Sequence, residues 1–138
     1  MEELILEAGQ YTPKVVFKPA EKLFCIFGNS FPVNPVSFYQ PLIDWFEKYF
    51  NNIPVIDELI IHFDFEYLNT SSTKQIASLF MLLESYPFRD KIIIKWYYND
   101  EENDMLEVGE RFIGYANLNF QFADKNQETP IHISKNLH

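Results

Sequence analysis

The sequence predicts an α/β domain on a mixed sheet, an N-terminal hairpin followed by strand-helix units with the helices largely on one face. Three observations carry that prediction. Two short apolar runs near the N-terminus flank a turn-like stretch, residues 58–67 alternate between a wholly apolar and a largely polar face, and three segments of helical periodicity are interleaved with strand patterns.

The hairpin comes first. Lys14-Val15-Val16-Phe17-Lys18 and Leu23-Phe24-Cys25-Ile26-Phe27 are separated by Pro19-Ala20-Glu21-Lys22, which reads as an antiparallel pair joined by a turn. After the loop Phe31 to Asn34, Asn34 is placed to cap a helix with Pro35 at its first position, where the missing amide hydrogen is harmless. That helix is expected to reach about Phe50. Phe38, Leu42, Trp45, Phe46 and Tyr49 recur at helical spacing as its buried face, and Pro41 within it removes one backbone hydrogen bond.

From Glu58 to Tyr67, Leu59, Ile61, Phe63 and Phe65 point one way while Ile60, His62, Asp64 and Glu66 point the other. This predicts a strand with one buried face and one wet face, Asp64 and Glu66 lying on the wet one. Leu68-Asn69-Thr70-Ser71-Ser72 then ends the alternation with a run of capping residues, and Ser72 with Gln75 fits a capping box. A helix from Ser72 to Tyr86 follows, with Ile76, Leu79, Phe80 and Leu83 inward and Pro87 as its stop. Lys91 to Tyr98 reads as strand, Glu101 to Ala116 as an amphipathic helix with Leu106, Phe112 and Ile113 inward, and Asn119 to Phe122 as a last short strand. Residues 1–124 are expected to form a single domain, and the polar residues 125–138 a C-terminal tail. Right-handed crossovers between the strands place the helices on one face.

Composition narrows the function. Twenty acidic against eleven basic residues give a formal charge of -9, which repels nucleic-acid phosphates and anionic membrane surfaces. No apolar run approaches the ~20 residues of a membrane span, and Met1-Glu2-Glu3-Leu4 is acidic where a secretory leader is basic, so a cytoplasmic protein is expected. With one cysteine, Cys25, an internal disulfide is excluded and stability rests on packing. A hydrophobic content of 47% suffices for a folded core.

Enzyme signatures are missing from the sequence. There is no Gly-rich phosphate loop, no Gly-x-Ser-x-Gly elbow and no His-Glu-x-x-His, so neither a catalytic residue, a metal nor a cofactor is expected. His62, Asp64 and Glu66 share one strand face and supply the alternative reading, a small ligand- or metal-binding enzyme domain; a solvated strand face accounts for the same pattern. Cys25 reads as a small buried hydrophobe, and Lys95-Trp96-Tyr97-Tyr98 as packing and not a base-stacking platform. Asp100-Glu101-Glu102-Asn103-Asp104 reads as an acidic helix start favoured by the dipole. Asn69-Thr70-Ser71 matches a glycosylation sequon, accidental in a protein without a leader. What remains is the strand-to-helix junction, where Thr70, Ser71 and Ser72 meet outward-pointing amides and a positive dipole end. A phosphate there gains about 0.3 to 2 kcal/mol.

Tyr67-Leu68-Asn69-Thr70-Ser71-Ser72, ending a strand and opening a helix, resembles the signature of the SiaC-type biofilm-regulation phosphoproteins, relatives in fold of the STAS-domain anti-sigma-factor antagonists. Asn29-Ser30-Phe31-Pro32-Val33-Asn34, Ile43-Asp44-Trp45 and Ile94-Lys95-Trp96-Tyr97-Tyr98 extend the likeness over roughly residues 7 to 122. The resemblance implies a STAS-like fold and a bacterial partner-switching protein that is not itself an enzyme. It implies phosphorylation of Thr70 by a cognate serine/threonine kinase and reversal by a PP2C-like phosphatase. The unphosphorylated form is then expected to bind a target such as a diguanylate cyclase through Leu68, Asn69, Thr70, Ser71 and Ser72. Ser71 is the alternative acceptor, because ordinary STAS domains carry a phosphoserine at this turn. Asn69 also departs from the aspartate usual there, and no glycine follows the hydroxyl residues.

Overall fold

The computed structural model describes residues 2–53 and 57–137. Ten elements follow one another: β1 (Leu4–Leu6), β2 (Lys14–Lys18), β3 (Leu23–Ser30), α1 (Pro35–Asn52), β4 (Leu59–Leu68), α2 (Thr70–Glu84), β5 (Ile92–Tyr98), α3 (Asp104–Ile113), β6 (Asn119–Asp124) and α4 (Ile131–Ser134). The expected mixed sheet is present, with six strands in the order β1-β2-β3-β4-β5-β6. β1, β2 and β3 pair antiparallel, and β3 through β6 run parallel. Because each parallel strand is added on the same side of the last, three right-handed crossovers carry α1, α2 and α3 over one face. No helix among the described residues is long and apolar enough to cross a membrane.

Alternation along the strands sorts the two faces. Phe17, Phe24, Ile26, Leu59, Ile61, Phe63, Phe65, Ile92, Ile94 and Trp96 join Leu42, Phe46, Ile76, Leu79, Phe80, Leu83 and Phe112 in one core. Each such side chain contributes about 1.5–3 kcal/mol relative to exposure, so a one-residue slip of any strand is strongly opposed. On α1 the buried set is Tyr39, Leu42, Trp45, Phe46 and Phe50, while Phe38 and Tyr49 only flank it. Asn34 caps α1 as expected, accepting from the Ser37 amide at 3.1 Å, and the helix runs through Pro41 without a break.

Three expectations are corrected. Ile113 is exposed; α3 instead turns Met105, Val108, Gly109 and Phe112 inward, because Gly109 lets the helix press against Trp96 and Phe122. The helix also starts at Asp104 and not at Glu101, the intervening residues forming a turn closed by Glu102 N–H on Asn99 O. Asp64, expected on a wet face, is 5% exposed. The reason lies in the stretch expected as a polar tail, which folds back across the face of the sheet opposite α1–α3. Lys125 Nζ reaches Asp64 Oδ1 at 2.9 Å and His132 Nε2 lies 2.6 Å from Oδ2. Glu66, farther along the strand, is exposed.

Candidate phosphorylation and partner-binding site

The site begins where β3 and β4 end side by side. Pairing runs Gly28 with Phe65, then Asn29 with Tyr67 and Ser30 with Leu68, so Glu66 has no partner and the register shifts. Gly28 holds φ at +115°, a conformation that L side chains rarely adopt. The extra residue in β4 reverses its facing. Phe65 and Leu68, three apart, both pack toward the core, and the chain is delivered into α2 with Asn69 outside the helix.

Asn69, not Ser72, caps α2. Its Oδ1 accepts from the Ser72 amide at 2.8 Å and its carbonyl from the Thr73 amide at 2.9 Å, which moves the helix start from Ser72 to Thr70. The expected capping box fails because the Ser72 side chain is turned inward and has other partners. Ser72 Oγ donates to the Ser30 carbonyl at 3.2 Å, Ser30 Oγ donates to Ser72 Oγ at 2.8 Å, and the Tyr39 hydroxyl lies 2.6 Å from Ser30 Oγ. With Ser30's proton committed to Ser72, Tyr39 is the donor to Ser30. Burial pushes the Tyr39 hydroxyl up to about 12, against the opposing hydrogen bonds of Ser30 and Ser72, so it stays a protonated donor. This hydroxyl chain ties β3, α1 and α2 together, and the Asn69 amide adds a bond to the Ser30 carbonyl at 3.0 Å.

The residues expected to face a partner therefore separate. Thr70 and Ser71 are exposed in the first turn, Leu68 and Asn69 are half-buried, and Ser72 is wholly buried. Thr73 turns its hydroxyl back onto the Asn69 carbonyl at 3.0 Å. The amides of Thr70 and Ser71 precede any acceptor within the helix, and the dipole there is positive.

Tyr67, three residues before Thr70, belongs to an aromatic row. Tyr11, Phe31 and Tyr67 stack edge to face in a row, with centroids 5.2 and 5.6 Å apart, and Tyr67 is half exposed. Val33 and Val36, around the start of α1, are also exposed. Tyr67 further shares a cavity of about 430 Å³ with Glu66, Glu102, Asp104 and Met105. Local alternation puts Tyr67 on the same side as Phe65, and only the register shift at Glu66 turns it outward; Tyr11 and Phe31 are likewise brought to it by the fold.

The alternative face does not assemble. His62 Nδ1 lies 2.9 Å from the Tyr97 hydroxyl, and Asp64 is engaged by Lys125 and His132. Burial first, and then Lys95, hold His62 down at about 4, so its ring is neutral at pH 7. Burial would raise Asp64, but the hydrogen bonds and charges of His132 and Lys125 outweigh it and hold the carboxyl below its usual range. Among the described residues no group of three His, Cys, Asp or Glu side chains is placed to hold a metal ion. Cys25 is buried, with Sγ 3.8 Å from the Val16 carbonyl and its thiol pushed up to about 12 by burial, which leaves it unreactive as a nucleophile.

Known proteins share this fold. Residues 6–125 match the SiaC family regulatory phosphoprotein. An uncharacterised protein of Pseudomonas aeruginosa is 27% identical over 124 residues, covering 89% of this chain and 95% of that one. The crystal structure of apo-SiaC from Pseudomonas aeruginosa superposes with a TM-score of 0.78 at 25% identity, over 88% of this chain and 98% of that chain. A chain from the crystal structure of diguanylate cyclase SiaD in complex with its activator SiaC, from the same organism, gives a TM-score of 0.77 at 24% identity, over 86% and 97% of the two chains. The match takes in both strand ends, the helix mouth and the sheet that carries them, and the chain belongs to the SiaC family of regulatory phosphoproteins.

Proposed function

We propose that this chain is a phosphorylation-controlled partner switch of the bacterial cytoplasm. Unphosphorylated, it binds and regulates a diguanylate cyclase, as the SiaC of the solved complex activates SiaD. A cognate kinase transfers the γ-phosphoryl group of ATP to Thr70 Oγ1, the hydroxyl losing its proton, and a PP2C-like phosphatase returns it to water. The chain performs no chemistry of its own in this cycle.

The observation that carries this reading is the division among hydroxyls at one helix mouth. Ser72 and Thr73 are spent on internal hydrogen bonds, whereas Thr70 is exposed and borders Asn69, the cap that fixes its backbone. A phosphate at Thr70 brings about -1.5 to -2 charges to a position where amides and dipole favour anions, so the fold tolerates it. Lys74, exposed one turn farther along α2, stands at the spacing that pairs opposite charges on a helix. A partner is treated differently. A surface packed on Tyr67, Val36 and the first turn of α2 would strip water from the new charge, and Lys74 alone, one cation against a charge of about -1.5 to -2, does not offset that desolvation, so the partner is released. Ser71, exposed beside Thr70, remains the alternative acceptor.

The test is phosphorylation by the cognate kinase with ATP, followed by cyclase binding and activation. A single phosphate is expected on Thr70, absent in Thr70→Ala and present in Cys25→Ala, and the modified protein should lose cyclase binding. Modification at Ser71 would move the site and keep the mechanism. No phosphate within residues 69–73, with the kinase active on another substrate, would defeat the reading.

A further inference from the structure

The sheet face opposite α1–α3 carries no helix of the strand-helix units, yet it is covered. Beneath the cover lie Val16, Leu23 and Cys25, a small apolar cluster distinct from the main core, with Phe27, Ile131 and Leu137 packed against it. The cover is the chain's own C-terminal segment, residues 125–137. Its start is pinned by the Lys125 amide on the Tyr98 carbonyl at 2.8 Å and by Asn126 Nδ2 on Asn99 Oδ1 and Asp100 Oδ1 at 2.9 and 2.6 Å. Beyond Asn126 it is held at few points, the Tyr97 hydroxyl with the Ile131 backbone among them. The Phe27 ring stacks on His132 with centroids 4.0 Å apart and planes within 6°. Lys95 contacts Glu128. Asp64 binds the segment at two places, through Lys125 near its start and His132 on α4.

We propose that residues 125–137 form a releasable strap, latched on Asp64, that opens from the sheet while the domain beneath stays folded. α4 is a single turn of four residues and has no helical stability of its own, so it persists only while docked. Residues 126–129 and 133–136 of the strap are exposed, Ile133 included, and Pro130 is its one buried residue, with Ile131 and Leu137 half-buried. The main core, by contrast, is built without any strap residue. Segments with few buried contacts open at lower free energy than the core to which they are attached. The family match ends at residue 125, so nearly all of the strap lies beyond it. Closed, the strap covers the Val16–Leu23–Cys25 face and reaches the Thr70 end only through Lys125, which lines the cavity beside Tyr67; Thr70 itself stays exposed.

Cys25, the chain's single cysteine, reports opening directly, because it lies under Ile131 and Leu137. The experiment follows the labelling rate of Cys25 in the full chain by a disulfide reagent, beside urea unfolding of the same samples. His132→Ala and Leu137→Ala should each speed labelling by roughly tenfold or more, as expected on losing a charge-assisted hydrogen bond or a buried contact, with a much smaller change in the unfolding midpoint. Lys135→Ala, on an exposed position of the strap, should label as the native chain does. The proposal is overturned if labelling in every variant tracks global stability, which means the strap leaves only when the whole domain unfolds. It is equally overturned if light scattering shows a dimer whose labelling slows with protein concentration, which assigns the segment to exchange between two copies.

Discussion

Ser30 Oγ donates to Ser72 Oγ across 2.8 Å, joining the last residue of β3 to the first turn of α2 over a separation of 42 in sequence. The contact is completely buried and continues to the Tyr39 hydroxyl. It fixes the orientation of the turn that presents Thr70, and makes Ser72 a structural residue in spite of its place among surface hydroxyls.

Ser72→Ala should therefore destabilise the domain by about 1–3 kcal/mol, because the buried Ser30 hydroxyl loses its acceptor. Ser71→Ala, one residue away and exposed, should stay within about 0.5 kcal/mol of the native chain. Urea unfolding of both variants decides it; equal effects would mean that the hydroxyl chain contributes nothing.

Asn69→Ala removes the cap of α2 and should cost about 0.5–2 kcal/mol. Phosphorylation of the same turn at Thr70 should do much less, shifting the thermal midpoint by no more than about 4 °C, since the helix terminus compensates the charge. Cyclase binding should fall far more than stability does. Calorimetry of phosphorylated and unmodified protein measures both, and a midpoint lowered by about 10 °C or more would show that the modification acts by unfolding.

Gly109→Ala sets two effects against each other. Alanine gains about 1 kcal/mol of helix propensity in the interior of α3. A Cβ at this position, however, would stand 2.6 Å from the Phe122 ring and 2.7 Å from that of Trp96. Trp96 is wholly buried and its Nε1 donates to the Met105 carbonyl at 2.8 Å, so the ring has little room to retreat. Overpacking of this kind costs about 1–3 kcal/mol, and net destabilisation is expected. A higher melting temperature in the variant would contradict the packing.

Acid should weaken the fold in two stages. His62 is held down at about 4 by burial and by Lys95, against about 6.5 when unfolded. Between those values the unfolded chain binds the proton that the native ring refuses, so this contribution is complete above about pH 6.5 and lost as pH falls toward 4. Asp64 is lowered by His132 and Lys125, which overcome the opposing effect of burial, and its contribution is present above about pH 4 and lost as pH falls through the lowered native value. His62→Gln should flatten the decline in urea stability between pH 6.5 and 4 and leave the steeper loss below it. An unchanged slope would show that His62 is protonated freely in the folded state.

The sequence by itself determined the hairpin, the strand read from Glu58 to Tyr67, the succession of strands and helices from β2 to β6, and the inward set Leu59, Ile61, Phe63 and Phe65, but not β1 or α4. These rest on local periods of two and 3.6 residues, which act through the burial of neighbouring side chains and need no knowledge of distant contacts. It also marked residues 68–72 as a junction, because a run of capping residues between a strand and a helix pattern has few other uses. Tertiary structure alone decided which hydroxyl went where. Ser72 is inside because Ser30 and Tyr39 lie there to meet it, and Thr70 is outside because a residue unpaired at Glu66 rotates the chain before the helix begins. The strand-face acids were divided in the same way: local alternation places Asp64 and Glu66 together, but only Asp64 comes under Lys125 and His132, 61 and 68 residues farther along the chain. Polar composition gave residues 125–137 the look of a tail. A carboxylate already seated on the sheet supplied partners for its charges, and that long-range pairing is what turned the segment into a cover.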